Sequence, residues 1–244
     1  MFKIALLLFL GIYANAAITI AASANVQYAL NDIIKEFENF YNIKAKQVIS
    51  SSGKLSLQIT KGAPYDIFLS ADMKYPLFLY KKGYAATKPK VYAKGSLVLW
   101  TMKGVDLKDW ENSLIKEAKK IAVANPKNAP YGKAAMEVLK RKGVFDKVKK
   151  KLIFGDSVSQ TNQYIASKIA DAGFSAKAVV LSPKMRGKGE WIEMDKTLYE
   201  PIKQGVIVTK QGYKKHKNEV LKFYRFLFSE KAKNILKRYG YEVD

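Results

Sequence analysis

Two short polar turns hold the residues best suited to chemistry in this chain. Ser23-Ala24-Asn25 follows the alternating, strand-like run Ile18-Thr19-Ile20-Ala21-Ala22. Ser50-Ser51-Ser52-Gly53-Lys54-Leu55 follows the strand-like stretch from Ala45 to Ile49 and leads into a helix-like one from Leu55 to Thr60. At such a junction the first-turn backbone N–H groups have no intrahelical partners, and the helix dipole adds partial positive charge. Serine hydroxyls add donors without bulk. One such turn is accounted for by a serine that merely N-caps its helix. Two within one βαβ-like run point to a shared crevice at the carboxyl ends of parallel strands, where ligands sit in α/β sheets. The chemistry indicated is capture of a small anion that offers only acceptor oxygens.

The elements that must hold these turns alternate between strand and helix, which gives the α/β class. Val26, Leu30, Ile33, Ile34 and Phe37 recur at helical spacing after the first turn. Strands are then predicted over 66–70, 96–101, 121–124, 151–154 and 178–181, and helices over 74–82 and 111–120. The loop from Asn125 to Gly132 opens a further helix that Lys142-Gly143 stops. Asp156-Ser157-Val158-Ser159 opens another, running through Ile165. Two passages, 90–95 and the segment around Tyr199-Glu200-Pro201-Ile202, read as crossings between lobes. The division expected is lobe I at 17–95 plus 202–244, completed by two tail helices, and lobe II at 96–201.

Composition narrows the function classes. Lys3, the apolar run from Ile4 to Ile12 and Ala14-Asn15-Ala16 read as a cleaved secretory signal peptide over 1–16, so the mature chain is exported. The apolar run is too short to span a membrane. With no cysteine there is no lipobox, disulfide or thiolate chemistry. The net charge of +22 comes from 43 Lys and Arg against 21 Asp and Glu. The lysines are spread along the chain without an aromatic-interleaved recognition module, and export speaks against nucleic acid. They read as a solvated surface that attracts small anions weakly, with salt screening beyond about 8–10 Å. The single histidine, His216, lies in Lys214-Lys215-His216-Lys217, a charged lead-in to a helix. A Ser-His-Asp arrangement would have to use it, and no metal-ligand spacing is present. An exported hydrolase is therefore the weaker alternative, with no catalytic residue and no cofactor assigned.

Several motifs occur in a telling order: Ala-Ala-Ser near the mature start, Ser-Ser-Gly-Lys-Leu, and Gly62-Ala-Pro-Tyr-Asp-Ile-Phe-Leu-Ser-Ala-Asp72. Asn-Pro followed by Ala-Pro-Tyr-Gly, Asp-Ser-Val-Ser-Gln-Thr and Tyr199-Glu-Pro-Ile-Lys-Gln come next. Over essentially the whole mature chain this resembles the periplasmic molybdate-binding components of bacterial molybdate ABC transporters. The resemblance implies a two-lobed type II binding-protein fold, each lobe a mainly parallel sheet flanked by helices. Its hinge closes the cleft on one tetrahedral oxyanion, molybdate or tungstate, for delivery to an ABC permease by a monomeric protein. It also implies site residues. Ser23 matches a first-turn serine whose hydroxyl and amide bind the anion, and some relatives use the next two positions, here Ala24 and Asn25. Ser52 matches a second serine, while Tyr131 and Val158 match positions that give backbone N–H groups. In some members a tyrosine hydroxyl follows from the next strand; here Gly173-Phe174-Ser175-Ala176-Lys177 places Ala176 there, so five contributors become four.

A fully deprotonated molybdate presents four acceptors and no donor, so hydroxyls and amides suit it and a first-shell carboxylate would repel it. Sulfate and phosphate remain alternatives in the same fold. Phosphate carries a proton that needs an acceptor, and Asp156 lies only two residues from Val158. Lys54 reads as helix surface, and Gly53-Lys54 is no P-loop: the upstream glycine is missing and Leu55 stands where Ser or Thr is required.

Overall fold

The computed structural model describes residues 17–244; the expected signal peptide, 1–16, lies outside the described residues. The chain opens with β1 (Ile18–Ser23), α1 (Gln27–Tyr41), β2 (Ala45–Ser50), α2 (Ser52–Thr60), β3 (Ile67–Leu69), α3 (Lys74–Lys81) and β4 (Lys90–Gly95). It continues through β5 (Leu97–Thr101), α4 (Trp110–Lys116), β6 (Ile121–Ala124), α5 (Pro130–Arg141), α6 (Phe145–Val148) and β7 (Leu152–Gly155). There follow α7 (Val158–Ala166), β8 (Ala172–Ala176), α8 (Lys177–Val180), β9 (Glu190–Glu193), β10 (Ile202–Val208), α9 (Lys210–Phe226) and α10 (Glu230–Arg238).

These elements make two lobes, each around a five-stranded sheet. The orders are β2-β1-β3-β10-β4 and β7-β6-β8-β5-β9. The parallel part of each sheet has the same plan: β1 lies between β2 and β3, and β6 between β7 and β8, all in parallel register. The remaining strands pair antiparallel because the crossings bring them in from the opposite end. Helices cover both faces of the central strands. β6 is therefore wholly buried and β1 nearly so, and neither shows the alternation of a half-exposed strand. The tail helices return to the first lobe, where Phe37 of α1 meets Phe223 of α9 edge-on at 5.0 Å.

The chain passes between lobes twice, directly after β4 and directly before β10. These two strands pair, with Gly95 opposite Ile202. The Leu97 N–H donates to Tyr199 Oη at 3.1 Å and so ties the two passages together.

One expectation is corrected. The apolar run 178–181 is not a strand: Lys177–Val180 is the short helix α8, and the strand is the preceding Ala172–Ala176. A short, fully buried apolar run has no period that separates strand from helix, and here tertiary packing decides. The helix α9 starts at Lys210, with Thr209 Oγ1 accepting from the Gly212 N–H at 2.9 Å, and His216 stands where its two helical pieces join, leading into the second. The backbone of His216 is non-helical (φ −135°, ψ 42°) and kinks that helix.

Candidate functional site

The carboxyl ends of β1 and β2 in one lobe face those of β6 and β7 in the other, and four turns converge there. On the first lobe, Ser23 and Ser50 are paired neighbours at the ends of their strands. The Ser23 hydroxyl is buried and donates to Asn25 Oδ1 at 2.7 Å. Asn25 in turn donates from Nδ2 to Gln204 Oε1 at 2.7 Å and to Tyr241 Oη at 3.0 Å. Ala24, between them, is buried.

At the second turn, Ser51 has the extended backbone of an N-cap (φ −76°, ψ 151°) but makes no side-chain cap bond. Its hydroxyl oxygen is buried and has no hydrogen-bond partner among the described residues. The capping explanation therefore fails at this serine. Ser52 is fully buried; its Oγ accepts the Ala71 N–H at 2.9 Å, leaving its own proton to donate elsewhere. Ser50 ends β2 and is less buried than either.

The second lobe offers backbone instead. Pro130 opens α5 and has no N–H, so the Tyr131 amide is the first donor of that helix and has no intrahelical acceptor. The Val158 amide opens α7, while the Ser157 cap accepts from the Gln160 N–H at 3.4 Å. Both Tyr131 and Val158 are buried.

The cleft is closed in this structure. Ala24 and Ala71 of the first lobe lie in the same buried cluster as Tyr131, Val158, Phe174 and Ala176 of the second. Several polar contacts cross the seam. The Gly53 N–H donates to the Asn128 carbonyl at 3.1 Å, Tyr75 Oη to the Lys127 carbonyl at 3.2 Å, and Ser159 Oγ to Gln27 Oε1 at 3.2 Å. Another is the ion pair of Lys54 Nζ with Asp156 Oδ2 at 2.7 Å. A Cβ at Gly53 would stand 2.7 Å from Tyr75 Oη and 3.2 Å from the Asn128 Cα, so this close approach requires glycine.

The carboxylates near these turns are engaged elsewhere. The Asp156 side chain is 65% exposed and held by Lys54, so it offers no inward acceptor for a phosphate proton. Asp72 accepts from Ser70 Oγ at 3.0 Å and from the Tyr75 N–H at 3.2 Å, at the start of α3. Burial holds its carboxyl above the usual carboxylate range, against those hydrogen bonds. Ala176, at the end of β8, is buried, and its neighbour Ser175 donates to Asn162 Oδ1 at 2.6 Å.

Of the positions the sequence singles out, Ala24, Tyr131 and Val158 share one buried cluster, and Ser23, Asn25 and Ser52 are buried at the turns after β1 and β2. The sequence offers Ser51 only as a helix cap, and nothing in it marks the seam contacts or Gln204.

Two mixed α/β lobes joined by paired crossings, and closed over a buried cleft lined with hydrogen-bond donors, define a protein that encloses a small polar ligand. The chain belongs to the family described as bacterial extracellular solute-binding protein, whose model matches residues 18–242. It is 35% identical over 229 residues to the molybdate-binding protein ModA of Azotobacter vinelandii, covering 93% of this chain and 90% of that one. It is 34% identical over 244 residues to the molybdate-binding protein ModA of Rhodobacter capsulatus, covering 99% and 94%. Among solved structures, the Azotobacter vinelandii periplasmic molybdate-binding protein superposes with a TM-score of 0.87 at 31% identity, covering 93% of this chain and 99% of that one. These relatives are binding proteins, not enzymes.

Proposed function

We propose that this protein captures molybdate, and tungstate with it, in the bacterial periplasm and delivers it to the permease of an ABC importer. Residues 17–95 plus 202–244 form the lobe carrying Ser23 and Ser52, residues 96–201 the lobe carrying Tyr131 and Val158, and the protein acts as a monomer. The observation that carries the reading is the donor-only cleft. It supplies buried hydroxyls and helix-start amides but no inward carboxylate, which suits a dianion with four acceptor oxygens. The kinship with proteins named for molybdate supports the choice among oxyanions. Ser52 donates its free proton to the anion, and Tyr131 and Val158 donate their amides. Ser23 joins by rotating its hydroxyl away from Asn25 Oδ1, with the first-turn amides at Ala24 and Asn25 beside it. Ser51, whose buried hydroxyl has no partner among the described residues, makes up for the tyrosine hydroxyl lacking at Ala176.

Competition calorimetry at neutral pH tests this. Molybdate and tungstate share charge, shape and nearly the same size, so fixed donors bind them alike. Sulfate and phosphate are smaller; their oxygens fall short of donors set for the larger anion while the dehydration penalty of a buried charge remains. Near-equal affinities for molybdate and tungstate are expected, with sulfate and phosphate far weaker. Displacement of molybdate by sulfate or phosphate at comparable concentration would mean that another anion is the ligand.

A further inference from the structure

Gln204 lies where the two halves of the cleft meet the hinge. It is fully buried on β10, at the point where pairing with β4 shifts register between Gln204 and Gly205. Its Oε1 accepts from Asn25 Nδ2 at 2.7 Å and from Tyr92 Oη at 2.9 Å, and its Nε2 donates to Tyr131 Oη at 3.5 Å. Asn25 belongs to the first lobe's turn and holds the Ser23 hydroxyl at its other end. Tyr131 belongs to the second lobe: its amide opens α5 at the cleft, while its ring reaches back to the strands next to the crossings. Gly95, the last residue of β4, makes room for that ring. A Cβ there would stand 2.0 Å from Tyr131 Oη and 2.7 Å from Gln204 Nε2. Burial pushes the Tyr131 hydroxyl well above the usual phenol range, so it stays protonated. One continuous chain of hydrogen bonds thus runs from Ser23 through Asn25 and Gln204 to Tyr131.

We propose that Gln204 is a positioning residue that ties the opening angle of the hinge to the state of the cleft, through Asn25 on one lobe and Tyr131 on the other. Both lone pairs of its carbonyl are used. A rotation of the second lobe that withdraws Tyr131 Oη leaves a buried amide and a buried phenol without each other, which a low-dielectric interior penalises. Closure, which brings the Tyr131 amide to the anion, restores the same contact. The two turns are set together because both are fastened to one amide on a hinge strand. Only the ligand half of this inference rests on the oxyanion reading.

Tyr131→Phe tests it by removing the hydroxyl while keeping the ring and the amide, and Gln204→Met is a second variant of similar volume. The chain has no cysteine, so Lys61→Cys and Lys147→Cys, at exposed positions on opposite lobes, can carry spin labels without background. Without ligand, both variants should shift the inter-lobe distance distribution towards open forms relative to the unmodified protein. With molybdate, dissociation in stopped flow should speed up roughly three- to tenfold, the range for losing one neutral hydrogen bond. The double variant should speed dissociation by less than the two single effects combined, because both remove the Gln204–Tyr131 contact. A lower melting temperature with the distance distribution and dissociation rate unchanged would assign Gln204 a merely structural role and overturn the proposal. If the unmodified protein binds no tetrahedral oxyanion, the oxyanion reading fails, and the ligand-free distances still decide the hinge inference.

Discussion

The two lobes repeat one topology and use it differently. In each, a central strand is flanked by two parallel neighbours, and the turns after the first two strands of the unit face the cleft: after β1 and β2 on one side, after β6 and β7 on the other. In the proposed site the first lobe contributes side-chain hydroxyls, from Ser23, Ser51 and Ser52. The second presents main-chain amides at the starts of α5 and α7, beneath the side chains of Tyr131 and Val158. A hydroxyl donor depends on residue type and disappears with one substitution. An amide donor depends on where the helix begins and survives almost any substitution that leaves the helix in place. The half-sites should therefore respond to mutation in opposite ways.

The strongest test moves a helix start without removing a donor. A Cβ at Gly132 would meet the Ala124 carbonyl oxygen at 1.9 Å, so Gly132→Ala forces α5 away from β6 and carries the Tyr131 amide with it. Stability should fall by about 1–3 kcal/mol or more, as in overpacked cores. Molybdate affinity should fall by roughly a hundredfold, the upper end for losing a hydrogen bond to a charged group. Unchanged affinity in calorimetry would remove α5 from the site.

On the hydroxyl side, Ser52→Ala should weaken molybdate binding by roughly ten- to a hundredfold. It should also lower the melting temperature of the unliganded protein, because the Ala71 N–H loses its acceptor. Ser51→Ala sharpens the contrast: its oxygen has no partner among the described residues to lose, so it should weaken binding without lowering unliganded stability. Ser50→Ala should leave affinity unchanged. Equal affinities for all three variants would dissolve the distinction between the serines.

The smallest effect is expected at Val158→Ala. The amide remains, and the loss is limited to side-chain packing, about 1–2 kcal/mol of stability for small aliphatic truncations. Affinity measured by calorimetry should stay within about twofold, since net hydrogen bonding to the anion is untouched. A loss as large as that of Ser52→Ala would mean that the side chain, and not the main chain, matters at this turn.

The same contrast explains what could be read in advance. Periodicity, glycine stops and hydroxyl residues are written in residue types, so most of the alternation of strands and helices, and the serine turns, were legible along the chain. For the amides of Tyr131 and Val158 it offered only Pro130 and Ser157 as marks of helix starts, and those positions came from family resemblance. The strand-like 178–181 became α8 because a short buried apolar run carries no period of its own. Packing in three dimensions alone left the Ser51 hydroxyl without a partner among the described residues and turned Asp156 outward to Lys54. Only it set Gln204 between Asn25 and Tyr131, residues 179 and 73 positions away along the chain. Hydrogen bonds and ion pairs act over a few ångströms, and which groups come that close is fixed by how the two lobes pack, not by their order in the chain.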